Sequence, residues 1–189
     1  MGNLRKDYVS ERFVIVSQSE SQIPKTKKNP YKAGNESMTN PSVLSLVQKD
    51  GMLQRLQDDE GDFVKDWSVR VFPASDPSVT IDADNSYTEH PLYSEPAYGY
   101  HYIISASPDE KETLSTLGVE QWGYVLSVIQ DRLRWMYTQK GVAYVAIYGN
   151  HGKEARNKVE HPHLHMMSFS IIPPKIEAVS YTHLRAHET

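Results

Sequence analysis

The chain has 189 residues, 39% apolar and 23% charged, enough for one well-cored domain or two very small ones. Its formal net charge of -4 argues against a general nucleic-acid binder, which carries a basic excess to displace counterions. It has no cysteine, which excludes disulfides, thiolate metal sites and cysteine nucleophiles.

The N-terminus, MGNLRKDYVSER, is polar and has no apolar h-region, so no signal peptide is visible. No run approaches the roughly 18 apolar residues of a membrane helix. The default expectation is a cytoplasmic protein without a membrane partner. Twelve tyrosines suggest a sheet-rich fold with polar-tipped packing.

Arg12 to Ser17 reads as a strand rich in β-branched residues. Gln18 to Pro41 reads as a polar loop, its lysines solvated. Val43 to Asp50 fits a short strand or a helix equally well. Lys65 to Phe72 reads as a strand ended by Pro73, and Asp76 to Pro96 as a long loop of the kind that carries function. Tyr98 to Ala106 reads as a strand stopped by Ser107-Pro108-Asp109.

The clearest helix follows. Val119, Trp122, Leu126, Ile129, Leu133 and Met136 recur at three- and four-residue spacing, which predicts one core-facing stripe ended at Gly141. About 20 residues at 1.5 Å each make a helix of about 30 Å, long enough to cross a sheet. Val142 to Tyr148 reads as a strand, Gly149 to Glu160 as a polar loop, and His161 to Ile172 as a further strand closed by Pro173-Pro174. One long helix among hairpin-linked strands predicts an α+β fold, an antiparallel sheet with the helix packed on one face.

The chemistry concentrates in His161-Pro162-His163-Leu164-His165. On a strand, alternate residues share a face, so the three imidazoles point one way, about 6.6 Å apart along the strand. Leu164 and Met166 point to the other face. Three readings compete: one imidazole attacks phosphorus while the others orient it; the pair chelates a metal; or the rings are structural. The preceding loop, Asn150-His151-Gly152, can present an amide and backbone N–H groups to phosphate oxygens. Lys153, Arg156 and Lys158 add positive charge there or are a solvated basic loop. Strand, polar loop and histidine strand in succession favour a phosphate substrate over a bare metal.

The chain resembles the N-terminal half of galactose-1-phosphate uridylyltransferases, of the histidine-triad superfamily, from Arg5 to about Pro174. The resemblance rests on the order of short motifs: Arg5-Lys6-Asp7 with Arg12-Phe13-Val14-Ile15, Gly34-Asn35-Glu36, Val69-Arg70-Val71-Phe72-Pro73, Gly99-Tyr100-His101, Ser107-Pro108-Asp109, Asn150-His151-Gly152 and His161-Pro162-His163. It implies a histidine-triad-like fold, a covalent nucleotidyl-histidine on His163, and catalytic neighbours His161 and His165. It further implies substrate contacts from Asn150, Gly152 and, on the first strand, Arg12. The implied ligands are a nucleotide sugar and a sugar phosphate, in galactose and carbohydrate metabolism, with a homodimer as the full-length assembly.

Four departures stand out, the first being Arg156 and Lys158, candidate substrate contacts that replace the small residues expected in the loop after Asn-x-Gly. His165 occupies the place of the transferases' usual glutamine, and histidine there is what histidine-triad hydrolases carry, so hydrolysis or transfer to phosphate competes with nucleotidyl transfer. A nucleotide-binding module without turnover is a third reading. Relatives hold zinc through Cys-x-x-Cys where this chain has Asn29-Pro30-Tyr31-Lys32, and through a histidine where it has Glu110. Of that set His161 remains, so no zinc or other cofactor is expected. Ala74 stands where relatives often carry an Asn near the nucleoside.

Residues 179–189 resemble a translated sequencing-library adapter and are expected to be an artefactual tail. The domain is therefore expected to span residues 1–178, with a second repeat missing.

Overall fold

Two periodicities run through this sequence, and the fold separates them into a sheet and a helix. The structure is a computed structural model that describes residues 2–10, 12–17, 28–82, 88, 92–152, 154–155, 157 and 159–176. Its strands are β1 (Gly2–Asp7), β2 (Arg12–Ser17), β3 (Leu44–Lys49), β4 (Met52–Leu56), β5 (Trp67–Pro73), β6 (Ser94–Pro96), β7 (His101–Ser105), β8 (Tyr144–Tyr148) and β9 (His163–Phe169). One long helix, α1 (Val119–Tyr137), lies between β7 and β8 in sequence.

Six strands form the main sheet in the order β4-β3-β5-β7-β9-β8, with every neighbour antiparallel. A smaller sheet runs β2-β1-β6. This is the α+β architecture the sequence predicts. β9 sits between β7 and β8, so the histidine segment is a central strand with ladders on both sides.

Alternation sorts each central strand between two faces. Val69 and Val71 of β5, Tyr102 and Ile104 of β7, and Leu164 and Met166 of β9 join one core cluster with Val125, Val128, Ile129 and Met136 of α1. The other face carries Arg70, Phe72, Ile103, Ser105, His163 and His165. The second-face residues fall in register: Arg70 pairs with Ser105, which pairs with His163, and Phe72 pairs with Ile103, which pairs with His165.

The helical stripe differs from its sequence expectation. Val119 is 92% and Leu126 57% exposed, while Val125 and Val128 are fully buried. Spacings of three and four from Trp122 lead to Val125 and Leu126 respectively, and adjacent residues point about 100° apart. The narrower β-branched Val125 and Val128 fit against the sheet, so the buried face is rotated from the predicted one.

Three strands are absent from the sequence reading: β1, β4 and β6. The β3–β4 hairpin turns at Asp50-Gly51, with φ of 52° and 75°, the two positive angles of a type I′ turn. β4 is exposed along its length and has no apolar alternation that would mark it. β9 begins at His163, two residues later than predicted; His161 precedes the strand.

Under the second face lies a buried ion pair. Arg70 Nη2 is 2.6 Å from Asp58 Oδ2, and both side chains are almost wholly buried. Asp58 also accepts the Ser42 and Val64 backbone N–H groups, and Arg70 donates to Thr39 Oγ1 and the Asn40 carbonyl. These bonds tie the segment after the Glu36–Met38 helical turn to β5. Among the described residues no helix is long and apolar enough to cross a membrane.

Candidate active site

The antiparallel β7–β9 pairing builds the site. Ser105 lies opposite His163, Ile103 opposite His165 and His101 opposite Met167. His101, Ile103 and Ser105 alternate on β7 as His163, His165 and Met167 do on β9, so a fourth histidine joins the predicted three. The His163 and His165 rings meet edge to face with centroids 5.2 Å apart, and the His101 and His165 centroids are 5.4 Å apart. Tyr31 covers the patch, with its ring 5.1 Å from His163 and 6.2 Å from His161. Tyr148, opposite His165 on β8, stacks on the His165 ring at 5.0 Å.

Partners that can only donate, or only accept, fix which nitrogen of each neutral ring carries its hydrogen. His163 Nδ1 lies 2.7 Å from the His161 carbonyl oxygen, so Nδ1 bears the hydrogen and Nε2 keeps a lone pair. For His161, the Asn29 carboxamide is oriented by the Tyr31 backbone N–H, which donates to Oδ1. Asn29 Nδ2 therefore donates to His161 Nδ1 at 3.1 Å. His161 Nε2–H in turn donates to the Ser107 carbonyl at 2.8 Å, with Ser105 Oγ also 2.8 Å away.

At His101 the Ser78 backbone N–H donates to Nδ1 at 3.2 Å, so Nε2 bears the hydrogen. That hydrogen points at His165 Nδ1, 3.1 Å away. Of the four rings in this patch, His163 is thus the one whose Nε2 is unprotonated.

Burial favours the neutral form of His161, His101 and His163. Desolvation pushes the pKa of His161 and of His101 down to about 4, against smaller upward effects from the Ser107 carbonyl at His161 and from Asp76 at His101. Desolvation also lowers the pKa of His163, opposed by its bond to the His161 carbonyl. A neutral imidazole with a lone pair on Nε2 is a nucleophile at neutral pH.

The other predicted residues divide. Gly149 follows β8 directly, and a Cβ built on it would lie 3.6 Å from the His163 carbonyl oxygen. The Asn150–Gly152 loop therefore leaves the sheet beside the strand that carries His163. Gly152 has φ of +79° with open space around it, so its backbone conformation, not crowding, favours glycine. Lys153, Arg156 and Lys158 lie outside the described residues. Arg12 opens β2 in the small sheet, exposed on the side opposite Phe13 and Ile15, and its charge acts on Asp7. Among the described contacts none brings Arg12 to the histidine face.

The positions that the resemblance links to zinc carry other chemistry here. Both ring nitrogens of His161 are committed to Asn29 and Ser107. Lys32 Nζ lies 3.0 Å from Glu110 Oε1, so these two side chains form an ion pair with each other. Among the described residues no group of three or more His, Asp or Glu side chains is arranged to hold a metal ion. The donor set does not fit tetrahedral zinc.

Sequence reasoning missed His101, Asn29 and Tyr31 as parts of the site. The signal for His101 was its even spacing from Ser105 on a predicted strand; for Asn29 and Tyr31 it was their alignment with the relatives' Cys-x-x-Cys, which the resemblance sets beside His161.

The fold and site together define an α+β domain with a largely buried histidine patch on a central strand. The sequence matches galactose-1-phosphate uridyl transferase, N-terminal domain, over residues 3–173, and the chain belongs to that family. The family's chemistry is nucleotidyl transfer.

The fold is similar to that of a uridylyltransferase structure, with TM-score 0.74 and 21% identity over 100% of this chain and 53% of that one. An ADP-glucose phosphorylase from Arabidopsis thaliana with bound ADP-glucose matches with TM-score 0.62 and 20% identity, covering 94% of this chain and 51% of that one. A galactose-1-phosphate-uridylyltransferase-like protein from Arabidopsis thaliana matches with TM-score 0.60 and 22% identity, covering 92% and 49%. The chain spans about half the length of these solved structures. Comparison with curated protein sequences finds no match.

Proposed function

We propose that this chain carries the nucleotidyl-accepting half of a transferase reaction, with His163 Nε2 as the nucleophile. The observation that supports this most is the 2.7 Å bond from His163 Nδ1 to the His161 carbonyl, which leaves the lone pair on Nε2. The Nε2 lone pair attacks the α-phosphorus of a nucleoside diphosphate sugar. A P–N bond forms, the bond from the α-phosphorus to the bridging oxygen breaks, and the sugar 1-phosphate leaves with that electron pair. A second sugar 1-phosphate then attacks through a phosphate oxygen, and the P–N electron pair returns to Nε2. The order is ping-pong.

His161 holds the carbonyl that orients the nucleophile, and His165 stands beside it. Asn150 and Gly152 contribute to the phosphate or nucleoside contacts, as do Arg156 and Lys158 from the same loop. No step passes through zinc. The relative that holds ADP-glucose supports a nucleoside diphosphate sugar as the ligand class. The active assembly is a cytoplasmic homodimer that acts on nucleotide sugars and sugar phosphates.

A second reading is hydrolysis or phosphorolysis of a nucleotide conjugate, favoured by the imidazole at His165 and by the phosphorylase among the relatives. A binding module without turnover is the third. Incubation with nucleotide sugar labelled at the α-phosphorus separates them. Covalent label that is absent in His163→Ala and released by a sugar 1-phosphate is the expected result. Release by water alone favours the hydrolase, release by inorganic phosphate the phosphorylase, and reversible binding without label the module.

A further inference from the structure

We propose that His101 is a positioning residue that holds His165 in its Nε2–H tautomer, so that His165 meets a phosphate oxygen of the nucleotide as a neutral N–H donor. The substrate side of this inference rests on the function proposed above; the tautomer side stands on geometry alone.

The direction of the chain of bonds is set at its far end. A backbone N–H can only donate, and Ser78 N lies 3.2 Å from His101 Nδ1. His101 must therefore carry its hydrogen on Nε2, which lies 3.1 Å from His165 Nδ1. Nδ1 of His165 is then an acceptor, and the hydrogen of the neutral His165 ring resides on Nε2.

His101 cannot readily escape this role. It is 9% exposed, and desolvation disfavours its doubly protonated form. Its place is fixed by the strand start: a Cβ on Gly99 would lie 2.0 Å from the Ser168 carbonyl oxygen, and Tyr100 exchanges bonds with Ser168 through its N–H and its carbonyl. Tyr148, stacked on the far side of the patch, restricts the tilt of the His165 ring.

The consequence concerns the position where transferases of this family differ from histidine-triad hydrolases. A general base needs an acceptor nitrogen. In His165 that nitrogen is occupied by the His101 N–H, so the ring is poised to donate a hydrogen bond, as a glutamine amide would, and not to take a proton from water. His101 thereby biases a three-histidine site toward transfer.

The test is nitrogen-detected NMR of the imidazole rings of the whole chain at neutral pH, with UDP-glucose binding measured on the same samples. Wild type is expected to show His165 protonated on Nε2 and unprotonated on Nδ1. His101→Gln, whose amide can still donate to Nδ1, is expected to keep that tautomer. His101→Phe is expected to give a mixture and to weaken UDP-glucose binding about 2- to 10-fold, the value of one neutral hydrogen bond. An Nδ1–H tautomer in wild type overturns the proposal without recourse to any variant. So does an unchanged tautomer in a folded His101→Phe protein, or equal UDP-glucose affinity in all three. If wild type does not bind UDP-glucose yet keeps the Nε2–H tautomer, the proposed function fails and the His101 relay stands.

Discussion

His163 donates its Nδ1–H to the main-chain carbonyl of His161, 2.7 Å away, and this bond leaves the ring's lone pair on Nε2, the nitrogen proposed to attack phosphorus. The carbonyl is held in place because the His161 side chain is anchored at both nitrogens, by Asn29 and by Ser107. His161 is therefore expected to act through its backbone oxygen and its rigidity.

Replacing His161 by Ala keeps the carbonyl but removes its anchor. Covalent labelling of His163 is expected to slow on the order of tenfold, matching the loss of about 1–1.5 kcal/mol of hydrogen bonding. Asn29→Ala should give a smaller loss in the same direction. Rates measured with labelled nucleotide sugar check both.

The pH dependence of labelling follows from the lowered pKa of His163. An ordinary histidine loses its lone pair below about pH 6.5. Labelling by this chain should persist below that value, with its acid midpoint displaced downward. An acid midpoint at or above the ordinary histidine value would count against a desolvated nucleophile.

Stability should follow the same groups. The folded pKa of His101 and of His161 is about 4, below the ordinary value, so the unfolded chain binds more protons between the two. Their contribution is fully present above about pH 6.5 and is lost as pH falls through about 4. Asp58 and Glu36, held below their ordinary values against desolvation by hydrogen bonds and Arg70, lose theirs as pH falls through their own lowered pKa. Urea midpoints measured from neutral to acid pH should fall throughout.

Arg70→Ala leaves Asp58 buried without its guanidinium and is expected to cost about 3–5 kcal/mol. The double substitution Arg70→Met with Asp58→Leu should cost markedly less than the two single changes summed, because neither charge is then stranded. Urea unfolding of the single and double variants measures the difference.

Much of this was legible in the residues. The β2 strand, the α1 span and the sharing of one face by His163 and His165 follow from local periodicity, which is a short-range property. Asp50-Gly51 was a readable hairpin signal that β4, lacking alternation, did not reinforce. His101 was recognisable as a strand residue, but its meeting with His165 depends on the register of β7 against β9, a contact across 64 positions. The choice of Val125 and Val128 over Leu126 as the buried face of α1 depends on the sheet it packs against. Arg12 shows the converse: its motif was readable, yet topology puts it on the outer side of a separate sheet.

The identity of the reacting atom admits the most direct test. Nucleotidyl adduct trapped on chain labelled with nitrogen-15 in its imidazoles can be read by phosphorus–nitrogen coupling. The predicted result is phosphorus bonded to Nε2 of His163, with Nδ1 still protonated. Phosphorus on Nδ1 of His163, or on His161 or His165, would contradict it.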